Sequence, residues 1–457
     1  MSRANGPRPA RKSESDVLGV GDREAGRPGP MGSDPPPSRR AMAVAVVAAA
    51  LIVFLAALVR QTGVPKVDTV WAEDGSVFLD CAYQRAFLDC VATPYQGYLH
   101  VLPRLGAELA AFVPPAQASL MLALVAALTA GGAGALTARA VGSATGSAVA
   151  GLIGGAGLGL VWQAGREVLG NLANVHWVLL TAALVVLACA WIGFRLDRFD
   201  AALVAIAGLS SALAPLLVIL AIPGVVLGRP GARGVLAVAL TVGVAQVATE
   251  LGTPREAAGA IPLGLTNVLN AFGDIVIGNG FFGTVRTPPG WTIPAAIALV
   301  ILITAAASRA HWHVAARGIV VVATLVAVGL VTFGASILLN RVANPRYAYV
   351  PTAMSIAALA VGTGLAARAL ATNGPIGTIR RRFGMLLVPA VALLLALGFG
   401  RSFRLEARAS SGPDVPQELQ AAAVECGTAT ASINIPISPR PASSDWTLTV
   451  PCDRLVR

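Results

Sequence analysis

The chain has 457 residues, of which 55% are hydrophobic and only 12% are charged, and its net charge is +11. Soluble domains carry about 25% charged residues, so this chain has too little polar surface to cover a globule of its size. Aromatic residues make up 5%, and the apolar runs are far longer than a barrel strand needs, which argues against a β-barrel. The composition excludes a soluble enzyme and a disordered chain, and it predicts an all-α polytopic membrane protein.

The positive charge would indicate nucleic-acid binding in a soluble protein, whereas in a membrane protein it reports orientation in the bilayer. We therefore expect no nucleic-acid partner. The basic residues are 32 Arg and only 2 Lys, in a chain rich in Ala, Gly and Val, which indicates a GC-rich genome.

The first predicted element is a tail, followed at once by a membrane anchor. Residues 1–40 are mostly Pro, Gly, Ser, Arg and Asp, so they are predicted to be a disordered cytoplasmic tail. The apolar run Ala41–Val59 is long enough to span a bilayer, and the polar stretch before it is unusually long for a signal peptide. We expect an uncleaved anchor.

Ten further apolar runs bring the predicted count to about eleven spans, in a transmembrane domain over residues 41–400. They lie near Ala118–Ala138, Ser147–Ala164, Trp177–Phe194, Ala201–Leu213, Ala214–Leu227, Gly234–Thr249, Trp291–Ser308, Gly318–Leu339, Tyr349–Ala367 and Phe383–Gly400.

The two runs between Ala201 and Leu227 are short. Ser210, Ser211 and Pro215 mark a turn between them, which predicts a hairpin of short helices. A single kinked helix is the alternative, and it would invert the topology of everything downstream.

Charge supports the hairpin. With eleven spans and the N-terminus inside, cytoplasmic segments hold 19 basic and 7 acidic residues. External segments hold 15 basic and 16 acidic residues. Together these are the 34 basic and 23 acidic residues of the chain. The split predicts a multi-pass plasma-membrane protein with a cytoplasmic N-terminus. The external segments are then the first to fourth loops (60–117, 163–177, 251–290 and 340–348) and the C-terminal segment 401–457.

None of the predicted spans has an Asp, Glu, Lys, Arg or His well inside it. Ion-coupled transporters and proton pumps usually need ionisable groups at mid-membrane. The candidate chemistry is therefore in the loops.

The first loop is packed with groups that can bind or transfer protons, and its apolar residues predict interfacial helices. It contains Trp71 and the acidic pair Glu73 and Asp74. Near apolar side chains a carboxylate can serve as a base, while the other orients it or helps to hold a metal such as a divalent cation. An Asp before an apolar run is also a common helix cap, so the pair has a structural alternative.

The same loop continues with Tyr95, Tyr98, His100 and Arg104. His100 and Arg104 share a face if this stretch is helical, and together they could bind a phosphate. The alternative is an aromatic belt at the headgroup level, with Arg104 extending to lipid phosphate.

Polar residues also crowd the other loops. The second loop contains Arg166, Glu167, Asn174 and His176 over a brief turn, and the third loop is Gly-rich, as in a mobile lid or an interfacial filler. The fourth loop contains the candidate phosphate- or lipid-binding residues Arg341, Arg346 and Tyr347.

Four cysteines fall in external segments under this topology, where disulfides persist. Cys426 and Cys452 enclose a short strand-forming segment, which predicts a small bridged cap. Cys81 and Cys90 would be about 13 Å apart on one helix, so they can pair only if the chain bends between them.

The layout resembles the GT-C-type integral-membrane glycosyltransferases. WAEDG at Trp71–Gly75 stands where that family has an acidic motif in the first external loop, and NVHW at Asn174–Trp177 and PRY at Pro345–Tyr347 are similar to features of actinobacterial members. The resemblance implies a lipid-linked sugar donor on a polyprenyl phosphate, membrane lipids as surroundings, and an envelope glycan or protein as acceptor.

The resemblance also implies roles for individual residues. Asp74 is the first candidate for the base that activates the acceptor hydroxyl, and Glu73 is the second. Candidate phosphate-binding residues are Arg104, Arg166, Arg341 and Arg346, and the other substrate-binding candidates are Trp71, Tyr95, Tyr98, His100, Asn174, His176 and Tyr347.

Two other functions stay open. A lipid or sugar-lipid transporter, or flippase, would need polar groups along a path across the bilayer, and Gln163, Ser210 and Gln246 could line one. The other is a non-catalytic scaffold in envelope assembly, in which the acidic residues of the first loop would be incidental.

The charge split makes a prediction about orientation. A reporter that is active only in the cytoplasm should be inactive when fused after Arg457 and active when inserted at 229–233, because the two sites are predicted on opposite sides. Reporter activity in cells measures both. Cytoplasmic activity of the Arg457 fusion would contradict the topology.

Overall fold

In the computed structural model of the chain, the residues described are 38–161, 164–253, 312–340, 345–371, 403–404, 406–426, 431–439 and 446–455, with isolated residues between 386 and 400. Of the predicted tail only residues 38–40 are described, and they start the first helix, where Ser38 Oγ accepts a hydrogen bond from Ala41 N. The third loop and Arg341 lie outside the described residues.

The described residues are mostly helical. The helices are α1 (Arg39–Val59), α2 (Asp80–Gln84), α3 (Phe87–Ala92), α4 (Val101–Ala111), α5 (Pro115–Thr145), α6 (Ala148–Leu160), α7 (Leu172–Trp191), α8 (Arg198–Leu209), α9 (Pro215–Val226), α10 (Ala232–Gly252), α11 (Trp312–Asn340), α12 (Tyr349–Ala371), α13 (Val415–Cys426) and α14 (Cys452–Leu455). Two strands, β1 (Ser432–Pro436) and β2 (Thr447–Pro451), pair antiparallel.

Six of the described helices are long and apolar enough to cross a membrane, namely α1, α5, α7, α10, α11 and α12. This fits an all-α membrane protein but corrects the count of eleven. The apolar runs at α6, α8 and α9 form helices of 13, 12 and 12 residues. At 1.5 Å per residue these reach about 18–20 Å, short of a hydrocarbon core of about 30 Å. Trp291–Ser308 and most of Phe383–Gly400 lie outside the described residues.

Helices α8 and α9 form the predicted hairpin. The chain turns between Leu209 and Pro215, and both helices pack along α10. The start of α8 and the end of α9 lie close together. Leu196, just before α8, donates its backbone N–H to the carbonyl oxygen of Pro230, just after α9, at 3.3 Å. The turn lies beside the distal part of α10, where Gln246 Nε2 donates to Gly208 O at 2.8 Å.

Helix α7 is the centre of the bundle. Every residue from Leu172 to Ala190 is buried, whereas α1 and α10 are buried over about a quarter of their apolar stretches. Its neighbours include α5, α8, α9, α11 and α12. A helix enclosed by protein on all sides cannot expose its terminal amides to water, so its N-terminus needs protein partners.

Small residues allow α1, α5 and α6 to approach closely. In a bilayer there is little hydrophobic drive between helices, so close packing carries the association. A Cβ at Gly155 of α6 would meet the Gly134 carbonyl oxygen of α5, and it would lie 2.7 Å from Ala138 Cβ and 2.9 Å from Ala49 Cβ. The three backbones are therefore in near contact at this level.

The first loop contains short helices, as predicted. The chain becomes extended at Arg85, between α2 and α3, and this bend brings Cys81 and Cys90 to a Cα–Cα distance of 5.8 Å in a disulfide. Helix α4 buries Ala107 and Ala110 together with the charged Arg104 and Glu108, and it exposes Leu109.

The C-terminal segment forms the predicted bridged cap, with α13, the β1–β2 hairpin and the Cys426–Cys452 disulfide. The cap packs on the first loop. Ser438 N donates to Val70 O at 2.9 Å, and Arg454 Nη1 donates to Ala111 O at 2.7 Å. Residues distant in sequence thereby cover the acidic motif.

The close packing of α5 and α6 predicts the effect of a single added methyl group. Gly155→Ala should lower the free energy of unfolding by about 1–3 kcal/mol, because a backbone carbonyl must move. Gly132→Ala on α5 is the matched control, since nothing lies within 4 Å of its Cβ position among the described residues. Thermal unfolding in detergent measures both, and equal melting temperatures for the two variants would refute the packing.

Candidate functional site

Two π-helical segments lie at the candidate site, Asp74–Leu79 in the first loop and Ala164–Val168 in the second. Such segments are rare and occur often at functional sites. The first carries Asp74 and follows Glu73, and the second carries Glu167.

Asp74 is buried, and both oxygens of its carboxylate accept hydrogen bonds from the first turn of α7. Oδ2 accepts from Leu172 N at 2.9 Å, and Oδ1 accepts from Ala173 N at 2.6 Å. A carboxylate here satisfies terminal amides and interacts favourably with the helix dipole. Asp74 is therefore a helix cap, and the helix it caps is α7, which begins almost a hundred residues later in the chain.

Asp74 also has a charged neighbour. Burial raises the pKa of the Asp74 carboxyl to about 7, against the two amide hydrogen bonds and the Lys66 charge, which lower it. Burial lowers the pKa of the Lys66 ammonium to about 8, against the charges of Asp74 and Glu167. Both groups therefore titrate close to neutral pH.

Trp71 packs against this pair. Its ring is buried, with Lys66 Nζ 5.8 Å and Arg408 Cζ 5.6 Å from the ring centroid. Its Nε1 is buried and has no hydrogen-bond partner among the described residues. Because Lys66 and Arg408 lie over the buried ring, Trp71 is part of the packing of the site.

Glu167 joins three segments of the chain. Its Oε1 accepts from Arg346 Nη1 at 3.3 Å and from Arg408 Nη1 at 3.0 Å. Its backbone carbonyl oxygen accepts from Asn171 Nδ2 at 2.6 Å and from Asn174 Nδ2 at 3.3 Å. The second loop, the fourth loop and the C-terminal cap thus meet at one carboxylate.

A cluster of aromatic and imidazole rings lies beside these charges. A tight turn at Gln96 and Gly97, both with positive φ, pairs Tyr95 with Tyr98. Ring centroids are 3.9 Å apart for Tyr98 and His100, and 6.0 Å apart for Tyr98 and His176. The cluster consists of Phe78, Tyr95, Tyr98, His100, His176, Trp177 and Tyr347.

The two histidines of the cluster are fixed in one tautomer when neutral. His176 Nδ1 lies 2.7 Å from Ala173 O, and His100 Nδ1 lies 3.2 Å from Tyr98 O. A carbonyl oxygen only accepts, so each Nδ1 carries the proton and each Nε2 is an acceptor.

Glu73 differs from the other two carboxylates. Its Oε2 is buried, and no described residue donates a hydrogen bond to it. Burial and then the Glu73 charge raise the pKa of the partly exposed Tyr95 hydroxyl, and Arg346 lies close enough to Glu73 to interact with it electrostatically. Among the three acidic residues described at the site, Glu73 is therefore the one with a buried carboxylate oxygen that lacks a hydrogen-bond partner within the described residues.

The remaining predicted residues divide between this cluster and its surroundings. Arg104 lies against Phe78, with Cζ 5.2 Å from the ring centroid. Arg166 is partly exposed, and its carbonyl oxygen accepts from Arg408 N at 3.2 Å. Asn174 is bonded to the second loop, and its N donates to Asn171 Oδ1 at 2.9 Å. The predicted residues that the structure brings together are Glu73, Tyr95, Tyr98, His100, His176, Arg346 and Tyr347.

Sequence reasoning missed Lys66 and Arg408. Lys66 is one of only two lysines in an Arg-rich chain, which was an available signal. Arg408 stands in a segment with no recognisable pattern, and only the docking of the cap brings it to Glu167.

Gln246 and Ser210, which were considered for a transport path, form hydrogen bonds with the backbone of the first loop. Gln246 bonds both backbone groups of Leu99, and Ser210 Oγ accepts from Leu102 N at 3.1 Å. These bonds join the first loop to α10 and to the turn of the α8–α9 hairpin. Gln163 lies outside the described residues.

No group of three or more His, Cys, Asp or Glu that could hold a metal ion occurs in the part of the chain that the structure describes. Comparison with protein-family models, with curated proteins and with solved structures finds no match to this chain.

The shifted pKa of Asp74 predicts how stability depends on pH. The folded protein binds this proton more tightly than the unfolded chain does, so its contribution to stability is present in acid and is lost as the pH rises through about 7. Between about pH 5 and about pH 8 the melting temperature of the wild type should therefore decrease relative to that of Asp74→Asn, which lacks this titration.

The exposed Asp89→Asn is the control, and thermal unfolding in detergent at both pH values is the measurement. An Asp74→Asn profile as steep as that of the wild type would show that Asp74 does not titrate in this range.

Proposed function

We propose that the protein is a membrane glycosyltransferase that moves a sugar from a lipid-linked phosphate donor to an acceptor hydroxyl. The observation that carries the proposal is the buried Oε2 of Glu73, which has no partner among the described residues, on a side chain that interacts electrostatically with Tyr95 and Arg346. Buried acceptors in native proteins nearly always have a partner, and an unpaired one at a ring cluster indicates a ligand or a solvent molecule. A substrate hydroxyl is the matching donor.

In the proposed reaction Glu73 takes the proton of the acceptor hydroxyl. The hydroxyl oxygen forms a bond to the anomeric carbon of the sugar, and the bond from that carbon to the phosphate oxygen breaks. The phosphate leaves with the electron pair and remains on its lipid. The proton stays on Glu73 until solvent removes it, so the reaction needs no oxidant or further reactant.

Arg346 is the proposed partner of the phosphate. Its side chain donates to Glu167 Oε1 at 3.3 Å, lies over the Tyr347 ring and is about a quarter exposed. A guanidinium offers several donors in one plane, so it can keep a carboxylate and still bind a phosphate oxygen. Glu167 then holds Arg346 in position.

The ring cluster would bind the sugar. Tyr95 and Tyr98 are partly exposed, so a sugar ring can contact them, whereas His100 and His176 are buried within the cluster. The location at the end of apolar helices suits a lipid-bound donor that approaches from the bilayer and an acceptor that approaches from water.

This proposal and the resemblance to GT-C-type enzymes place the acidic motif in the same loop. The proposal differs in the roles of the two acidic residues. Asp74 binds two backbone amides, so we assign it to positioning, and Glu73 becomes the proposed base. The proposed acceptor is an envelope glycan or protein on the external face of the plasma membrane.

A scaffold in envelope assembly is the second candidate. It is favoured by the observation that Asp74 and Glu167 are both engaged in contacts that hold the fold together. A transporter has less support, because Ser210 and Gln246 bind backbone groups of the first loop.

Glu73→Gln tests the enzyme against the scaffold. It keeps the size of the side chain and removes the base, so transfer should fall about a hundredfold or more while the protein stays folded. The measurement is mass spectrometry of sugar transferred from synthetic polyprenyl-phosphate pentose and hexose donors to membranes from the expressing cells.

Asp80→Asn is the matched control, because Asp80 is in the same segment and its carboxylate accepts from Gln84 Nε2 at 2.8 Å, away from the ring cluster. Transfer by the wild type that survives in Glu73→Gln would remove Glu73 from the chemistry. Absence of transfer by the wild type with every donor would favour the scaffold.

A further inference from the structure

Arg104 is a buried cation for which the described residues supply no counter-ion. The residue is 2% exposed, and its Nε and Nη1 are buried with no hydrogen-bond partner in the described part of the chain. A protein rarely leaves a guanidinium in this state, because burial of an uncompensated charge is strongly destabilising.

The neighbours of Arg104 do not supply the missing charge. The Phe78 ring lies 5.2 Å from Cζ, and burial together with the like charge of Arg85 lowers the pKa of Arg104 only to about 10, so it stays protonated at neutral pH. Glu108 is one turn further along α4, and its Oε1 is likewise buried without a partner among the described residues. The two side chains thus share one helix without forming an ion pair there.

The Arg104 side chain itself is buried, and the neighbouring side of α4 is apolar and exposed. Leu105, Leu109 and Phe112 are exposed along α4 and at its end, and α3 exposes Phe87 and Leu88. On a membrane protein such a surface at the end of the spans contacts acyl chains. The exposed Arg85 lies just before α3, so two cations border this lipid-facing surface.

We propose that Arg104, with Arg85, binds the phosphate of an anionic lipid whose acyl chains lie along α3 and α4. The site does not depend on Glu73 acting as a base. An anionic phospholipid and the lipid-linked donor offer the same chemistry, a phosphate attached to a long apolar chain. Arginine suits this group because its guanidinium can bind two phosphate oxygens at once.

Thermal unfolding of the purified full chain in dodecyl maltoside tests the proposal. The probes are phosphatidylglycerol, a polyprenyl phosphate, inorganic phosphate and zwitterionic phosphatidylcholine, added separately. A ligand that binds only the folded state raises the melting temperature. We expect a rise with at least one of the two anionic lipids, and a smaller rise or none with inorganic phosphate and phosphatidylcholine.

The variant Arg104→Gln should bind the effective lipid about tenfold more weakly. It should also be at least as stable as the wild type in detergent alone, because it removes a buried charge that lacks a counter-ion within the described residues. The control is Arg233→Gln, an exposed arginine in the first turn of α10, which should respond to lipid as the wild type does. Glu73→Gln should also respond as the wild type does, so a failed enzyme proposal leaves this test intact.

Equal responses of the wild type and Arg104→Gln would overturn the proposal. So would a large loss of stability of Arg104→Gln in detergent combined with no lipid effect on the wild type, since this would mean that Arg104 is neutralised within the protein, for example by Glu108. If Arg104→Gln does not fold, native mass spectrometry of the wild type decides. Retention of anionic lipid in preference to phosphatidylcholine supports the site, and equal retention refutes it.

Discussion

The hydrogen bonds from the amides of Leu172 and Ala173 to the Asp74 carboxylate are the contact on which the site depends. Helix α7 is enclosed by protein along its length, so its first amides cannot turn to water. Asp74 satisfies two of them and thereby fastens the first loop to the most buried helix of the bundle. The placing of Glu73, Lys66 and the aromatic turn follows from that attachment.

The need to balance buried charge explains why so many segments meet at one place. Three carboxylates (Glu73, Asp74 and Glu167) lie with three cations (Lys66, Arg346 and Arg408), contributed by the first, second and fourth loops and by the C-terminal cap. An unpaired buried charge is costly, so each of these segments restrains the others. Asp74 binds two backbone amides and Glu167 binds two arginines, whereas Glu73 has a buried carboxylate oxygen with no hydrogen-bond partner within the described residues.

The bundle and the loops are stabilised in different ways. Helices α1, α5 and α6 associate through close contact at small residues, as expected where lipid removes most of the hydrophobic drive between helices. The loops are held by hydrogen bonds to helix ends, by two disulfides and by the β1–β2 hairpin. The bundle supplies rigid ends, and the loops supply the functional groups. Arg104 lies at the boundary between the two regions, where lipid can complete its environment.

The sequence by itself determines that the chain is mostly helical, with apolar helices that fit a membrane protein, and that Cys426–Cys452 closes a small cap, because composition, run length and spacing are local properties. The turn at Ser210–Pro215 was predictable for the same reason. The number of long helices was not, since an apolar run shows hydrophobicity and not the length of the helix it forms. Only the tertiary structure decided that Asp74 caps α7, that Arg408 reaches Glu167, and that Glu73 Oε2 is left without a donor among the described residues. The first two are contacts between segments about 100 to 240 residues apart, and all three are set by packing and charge balance that no local pattern records.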